Sequence, residues 1–320
     1  MFNRIILSRK GFDSASGGGF SPFDPQTGRY ILLPIPDGKI DQYIGNPKKF
    51  EEIVIKQNYL PGIDATNLKE LINSNVLRLG NKVKENITKN YAHFDPWLGV
   101  CPWLAENSNH QLGVFGQEGN AQAQLNNKEV GKGSLFLFFS RFKPIKLGDN
   151  NCEKMIITDI IPEQLNRGLY FIYGWLKVKE VIHHYKDIVD TNIKLSHPHA
   201  TEKYFEEHKC NTLFIADELL FEDDTIPGCG YFPELNEHLL LTALNQKSQK
   251  NWIPSRWGLP VLLYDKCLSV LTNRKCGDGS SADSCLVNTQ GQWQEAIFEG
   301  TDHFDKWFRN LLNKSNVKRL

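Results

Sequence analysis

Lys10 and Asp13 follow directly on an apolar segment, and Ser14, Ser16 and the glycines at 17 to 19 come straight after them. Backbone amides in such a turn form an anion-binding nest, the lysine adds a point charge, and the aspartate suits a general base or a ligand for a ribose hydroxyl. A plain strand-end loop with Lys10 and Asp13 paired fits the same residues. Neither the P-loop pattern nor GxGxxG occurs. Two further segments, His93-Phe94-Asp95 and His197-Pro198-His199, set titratable groups at i and i+2, which an extended backbone points to one side. A metal could use His93 and Asp95, but one pair is too few ligands and they read as a hydrogen-bonded pair before Pro96; His197 and His199 are the better metal or acid/base pair and read as proton carriers or hydrogen-bonding groups in a pocket. With His208 and Cys210 added, the spacing HxHx₈HxC matches no zinc pattern, so no metal is assigned.

A second kind of chemistry is written between Gly113 and Phe142, where a Gly/Gln-rich segment runs into an aromatic strand. Gln117, Gln122, Gln124, Asn126 and Asn127 donate and accept at once, as reading the edge of a base requires. Leu135 to Phe139 is an apolar run without alternation, expected of a strand buried on both faces, and Lys132-Gly133-Ser134 supplies the turn before it. Phe139 and Trp175 offer stacking surfaces for a base, or simply core. Arg256, between Trp252 and Trp257, combines a guanidinium with indoles, a set that stacks on a base, holds a phosphate, or packs at the edge of a core. Glu295 is a candidate partner for Arg256. No GxSxG or Cys/His signature of nucleophilic hydrolysis appears.

These groups need a substantial scaffold, and 320 residues with 40% hydrophobic and 11% aromatic content supply one. Basic and acidic residues balance at 37 each, so no overall field draws the chain to bulk DNA or a membrane, which favours a small nucleotide over long duplex DNA. The tail residues Lys314, Lys318 and Arg319 read as a solvated helix end. Seven irregularly spaced cysteines argue against a disulfide framework, although Cys276 and Cys285 bracket a polar loop and could bridge in an oxidising setting. The start lacks a secretory h-region and no apolar stretch is long enough to span a bilayer, so a cytoplasmic protein is expected.

Strands are predicted at Phe2 to Ser8, Arg29 to Ile35, Met155 to Ile161 and Thr212 to Ala216, with one long bent strand over Leu169 to Val181. Helices are predicted at Pro47 to Gln57, Ala65 to Asn73 with Asp64 or Thr66 as cap, Gly119 to Asn126, Thr201 to His208 and Asp302 to Leu312. The last presents Phe304, Trp307, Phe308 and Leu311 on one face.

Several blocks in order, among them ILSRKGFDS at 6 to 14, SPFDPQTGRYILLPIPD at 21 to 37, AHFDPWL at 92 to 98, FGQEGNAQAQL at 115 to 125, VGKGSLFLFFSRF at 130 to 142, FIYGWLKVKEVI at 171 to 182, HPHA at 197 to 200 and SRWGLP at 255 to 260, resemble the nucleotide modification associated domain family, type three. The resemblance covers most of the chain and implies association with DNA or nucleotide modification systems, without a defined reaction. That family usually carries Asp where Ser134 stands and Gly where Ser140 stands, which implies an altered pocket beside the strand. Residues 130 to 185 also look like the barrel of PUA-like and EVE domains, which grip a flipped or modified base.

The expectation is therefore one α+β domain over residues 1 to 320, with a mixed or antiparallel sheet, a small PUA-like β-barrel centre at about 113 to 220, and peripheral helices. It would bind a nucleotide, or a modified base in nucleic acid, alongside other components of a modification system; no cofactor is indicated. As an enzyme, a base transferase or N-glycosidic bond hydrolase, it would use Asp13 as base or sugar ligand, Lys10 and Arg256 for phosphate, and His197 or His199 for protons, with Ser14, Asp95, Gln117, Gln122, Asn127 and Trp257 completing the pocket. As a non-catalytic reader it would stack the base on Phe139 and Trp175 and read it with Gln117.

Overall fold

The computed structural model describes residues 1–12, 18–74, 77, 79–105, 113–145, 156–157, 162–244, 246, 252–260, 263, 266–268, 284–288 and 295–317. Its strands are β1 (Arg4–Arg9), β2 (Ser21–Phe23), β3 (Ile35–Asp37), β4 (Tyr91–His93), β5 (Val114–Gln117), β6 (Leu135–Pro144), β7 (Leu169–Ile182), β8 (Thr212–Ala216), β9 (Cys229–Tyr231), β10 (Arg256–Pro260), β11 (Ser284–Asn288) and β12 (Glu295–Glu299). The helices are α1 (Leu68–Asn73), α2 (Asn81–Lys89), α3 (Gly119–Asn127), α4 (Pro162–Arg167), α5 (Thr191–Ser196), α6 (Glu202–Glu207) and α7 (Asp302–Lys314). The class is α+β.

An eight-stranded mixed sheet forms the centre, in the order β12-β1-β6-β7-β8-β5, with β2 beside β6 and β9 beside β7. β1 runs parallel to β6; the β1–β12, β6–β7, β7–β8 and β5–β8 ladders are antiparallel. β6 is central because its apolar run is buried on both faces, as expected, and Phe136 and Phe138 interlock with Phe115 and Phe214 from β5 and β8. Its partner β7 is the long bent strand foreseen at Leu169. Register shifts between Phe138 and Phe139 and between Val178 and Glu180 mark irregularities that let the paired strands bend.

The bend brings the two ends of the sheet together. Gln117 on β5 donates its side-chain amide to Glu295 Oε1 on β12, although these are opposite edges of the ladder order. No backbone ladder joins β5 to β12 among the described residues, so the sheet is curled with its edges in side-chain contact. At the barrel-like centre expected at about 113 to 220, β5 to β8 share one sheet with β1 and β12 from the chain ends, and no closed ladder is present among the described residues. Two ribbons, β3–β4 and β10–β11, lie apart from this sheet.

Several local expectations are corrected. Residues 30 to 34 do not form a regular strand; β3 begins at Ile35, and Pro34 and Pro36 each lack the N–H a ladder needs. Between Pro47 and Gln57 only Phe50–Glu52 turns, as a 3₁₀ helix, while Val54 and Ile55 make isolated bridges. α1 starts after Asn67, whose side chain accepts from the Glu70 N–H; Thr66 instead bonds to the Glu70 carboxylate. Of the strand expected at Met155 to Ile161 only Ile156 and Ile157 are described, and they form a bend; the Cys276 partner of the suggested bridge, Lys318 and Arg319 lie outside the described residues. Among those described, no helix is long and apolar enough to cross a membrane.

Candidate functional site

Where the curled sheet brings β5 towards β12, a cleft of about 840 Å³ opens. Its wall takes Lys10 from the end of β1, Asp37 and His93 from the β3–β4 ribbon, Asp95 just beyond it, Gln117 from β5, and Glu118, Asn120 and Gln124 at and within α3. His199, Tyr204 and His208 come from the segment around α6, Tyr43 from a 3₁₀ turn, and Glu295 from β12.

Asp95 is the anchor. Its Oδ1 accepts the Gly116 N–H at 2.8 Å, and His197 Nε2 lies 3.3 Å from the same oxygen at an angle too poor for a hydrogen bond. Oδ2 faces His199 Nε2 at 4.0 Å. Burial alone would raise the Asp95 pKa, but the His197 contact, the charges available on both imidazoles and Lys10 outweigh it and hold the carboxyl down at about 2. Burial also pushes both imidazoles down, His199 to about 3, so they are neutral at physiological pH.

His197 and His199 do not sit on an extended stretch as their spacing suggests. Pro198–Ala200 is a 3₁₀ turn, in which the His199 N–H donates to His197 Nδ1 at 3.3 Å. The turn still directs both rings to Asp95. Asn211 locks the outer face of His199: its Nδ2 donates to the His199 carbonyl at 2.8 Å, which leaves Oδ1 to accept from His199 Nδ1 at 3.0 Å. β5 accommodates the ring because residue 116 is glycine; a Cβ there would lie 2.3 Å from His199 Cγ. His93 does not pair with Asp95 as expected. Its Nδ1 meets Asp37 Oδ2 at 3.1 Å across the β3–β4 ribbon, and this bond leads the lowering of the Asp37 pKa.

Glu295 is the second carboxylate of the cleft and the opposite of the first. It accepts from Ser8 Oγ and Gln117 Nε2, and burial raises its pKa against the pull of Lys10 and these two donors. Lys10 Nζ rests 4.6 Å from the centroid of the Phe115 ring. On the far wall Tyr204 and His208 stack at 3.9 Å, Tyr43 meets Tyr204 edge-on, and His208 pairs with Glu118.

The structure thus brings together Lys10, Asp95, Gln117 and His199, with His197 buried behind them. Asp13 and Ser14 lie outside the described residues. Six expected pocket residues are elsewhere. Phe139 and Trp175 are core: Phe139 packs edge-on against Trp257, and the Trp175 indole N–H donates to the Pro227 carbonyl. Gln122 is buried and bonds to Asn126, while Asn127 is exposed at the end of α3. Arg256 and Trp257 belong to the β10–β11 ribbon and do not line the cleft, so Glu295 has Ser8 and Gln117 as partners rather than Arg256. Ser134 and Ser140 also lie off the cleft; Ser134 Oγ caps its turn by accepting the Gly131 N–H.

Asp37, Tyr43, Glu118, Tyr204 and Asn211 went unread in the sequence. Asp37 and Glu118 carried a signal, as members of the SPFDPQTGRYILLPIPD and FGQEGNAQAQL blocks.

An α+β protein whose curled sheet gathers buried acids, imidazoles and a lysine in one cleft has the equipment of a small-molecule or nucleotide site. The chain belongs to the nucleotide modification associated domain 3 family, whose profile matches residues 4–299. Neither the curated proteins nor the solved structures contain a match to it.

Proposed function

We propose that the protein is an enzyme of nucleotide modification that breaks or exchanges the bond between a base and its sugar. What supports this best is the pair of carboxylates in one cleft whose environments push their pKa values apart, Asp95 down and Glu295 up. Such a split assigns an ionised and a protonated role at one pH. Glu295, beside the Gln117 amide, is suited to donate a proton to a departing base, and Asp95 to stabilise positive charge on the sugar or to orient the attacking nucleophile. Lys10 lies where a phosphate oxygen would be neutralised. Tyr204 and His208 present an aromatic wall for the base, and His199 Nε2 is an acceptor at the same surface. The electroneutral chain suits a nucleotide or a base displaced from nucleic acid, delivered by other components of a modification system.

The alternative, a non-catalytic reader, loses its expected platform because Phe139 and Trp175 are core; it would have to use Tyr43 and Tyr204 instead. Mass spectrometry of nucleosides, after incubation of the protein with modified and unmodified DNA and with free nucleotides, separates the two. Free base or an exchanged nucleoside should appear with the wild type and fall ~100-fold or more with Glu295→Gln, the scale of general acid catalysis. A wild type that binds a modified base and changes nothing would make the protein a reader.

A further inference from the structure

One ring nitrogen each of His93 and His199 and one carboxylate oxygen of Asp95 lie within 4.8 Å of one another on the cleft wall. Hydrogen bonds behind them settle which atoms face inwards. Asn211 cannot be flipped, because its Nδ2 already donates to the His199 carbonyl. Oδ1 therefore requires a proton on His199 Nδ1, and Nε2 presents a bare lone pair. In His93, Nδ1 is engaged by Asp37 Oδ2, which turns the Nε2 lone pair to the opposite side. Asp95 spends Oδ1 on the Gly116 N–H, and among the described residues Oδ2 makes no hydrogen bond and stands 4.0 Å from His199 Nε2.

Two acceptors thus face each other on the cleft wall, at a separation beyond hydrogen-bond reach. A cation between them resolves the conflict. Ligands of a tetrahedral zinc-class ion, each ~2.0–2.2 Å from the metal, stand ~3.4 Å apart, so each donor here needs to move in by less than ~1 Å. The outer hydrogen bonds, His93 to a carboxylate and His199 to an amide oxygen, are the partners that orient ligating imidazoles and raise their basicity.

We propose that His93, Asp95 and His199 hold a divalent first-row transition metal, with its remaining positions open to the cleft. Two imidazoles and one carboxylate select this class over magnesium or calcium, which prefer oxygen ligands alone. The sequence hid the set, since two ligands stand 104 to 106 residues before the third, and the histidine pair at 197 and 199 is split: His199 ligates and His197 backs Asp95. The site shares the cleft with the proposed nucleotide site but does not rest on that reading, because metal binding is measured without any nucleotide.

Full-length protein stripped with chelator and titrated with Co(II) tests it, followed by visible absorption and by competition with Zn(II). One equivalent should bind with the d–d bands of nitrogen and oxygen ligation and raise the unfolding temperature. Affinity should fall at least tenfold in His93→Ala, His199→Ala and Asp95→Asn, and stay unchanged in His238→Ala. Should a ligand variant fail to fold, Asn211→Ala and Asp37→Asn supply the test, with an expected 10- to 100-fold weakening. No stoichiometric binding by the wild type, a sulfur-to-cobalt charge-transfer band in place of nitrogen and oxygen ligation, or equal affinity across the ligand variants would each overturn the proposal.

Discussion

Asp95 and Glu295 carry the same functional group and meet opposite fates in one cleft. Burial is the largest influence on both and raises both; at Asp95 the neighbouring His197, His199 and Lys10 outweigh it, whereas at Glu295 it prevails over Lys10, Ser8 and Gln117. The second fate is measurable in stability. A folded-state pKa above the ordinary 4.5 means that the native protein binds more protons than the unfolded chain above that pH. The stability contribution is complete below about 4.5 and is lost as pH rises through the folded value. Glu295→Gln removes this dependence, so the variant's unfolding temperature relative to wild type should be lowest near pH 4 and climb towards pH 8. A constant gap across that range would show that Glu295 titrates as in the unfolded chain. At this scale the sequence was readable where chemistry is tied to residue type, as for Lys10, Asp95, Gln117, His197 and His199. It was unreadable where a residue acts only through what the fold places beside it, as for Asn211, whose amide matters only because His199 packs against it.

Elements with one dominant local signal were legible. β8 matches its expected range, β7 its expected length and α7 its periodicity, because each carries an apolar run or a regular stripe; α3 also falls where it was expected. Irregular segments were not: residues 30 to 34 and 47 to 57 pack core side chains such as Leu33 and Phe50 without regular hydrogen bonding, and periodicity alone does not separate that from a strand or a helix. β5 shows what such reading leaves out. Its Gly116 looked like part of a flexible polar stretch, yet it lies in a fully buried strand and lets an imidazole rest on bare backbone. Gly116→Ala would place a methyl 2.3 to 2.6 Å from three His199 side-chain atoms, and the ring must move. The expected cost to the fold is ~1–3 kcal/mol, as for other overpacked sites, with a loss of cleft function at least as large as that of His199→Ala. Thermal unfolding and cobalt titration together check this; a variant with wild-type affinity would mean that the ring is not held by β5.

On the scale of the molecule, a single apolar cluster runs from Phe2 to Leu312. The family match ends at residue 299, and α7 follows it, yet Phe304, Phe308 and Leu312 are fully buried and Phe304 and Phe308 pack on Phe2 ahead of β1. Four apolar side chains of α7, with Leu311, at ~1.5–3 kcal/mol each amount to ~6–12 kcal/mol, comparable to the whole stability of an ordinary domain. A chain ending at residue 300 should therefore lack a cooperative thermal transition, although it contains the whole matched region. A truncated chain that melts cooperatively near the wild-type temperature would show that α7 is an appendage. The α+β class was legible from the order of predicted elements; the curl was not, because it joins β5 and β12 through two side chains 178 residues apart.

That contact between Gln117 and Glu295 also acts as a latch. The amide and the carboxyl that fasten the two edges of the sheet are the same groups a ligand in the cleft would seek, so a ligand that captures either one releases the fastening. A ligand competing for either group would therefore couple occupancy of the cleft to the separation of the two sheet edges.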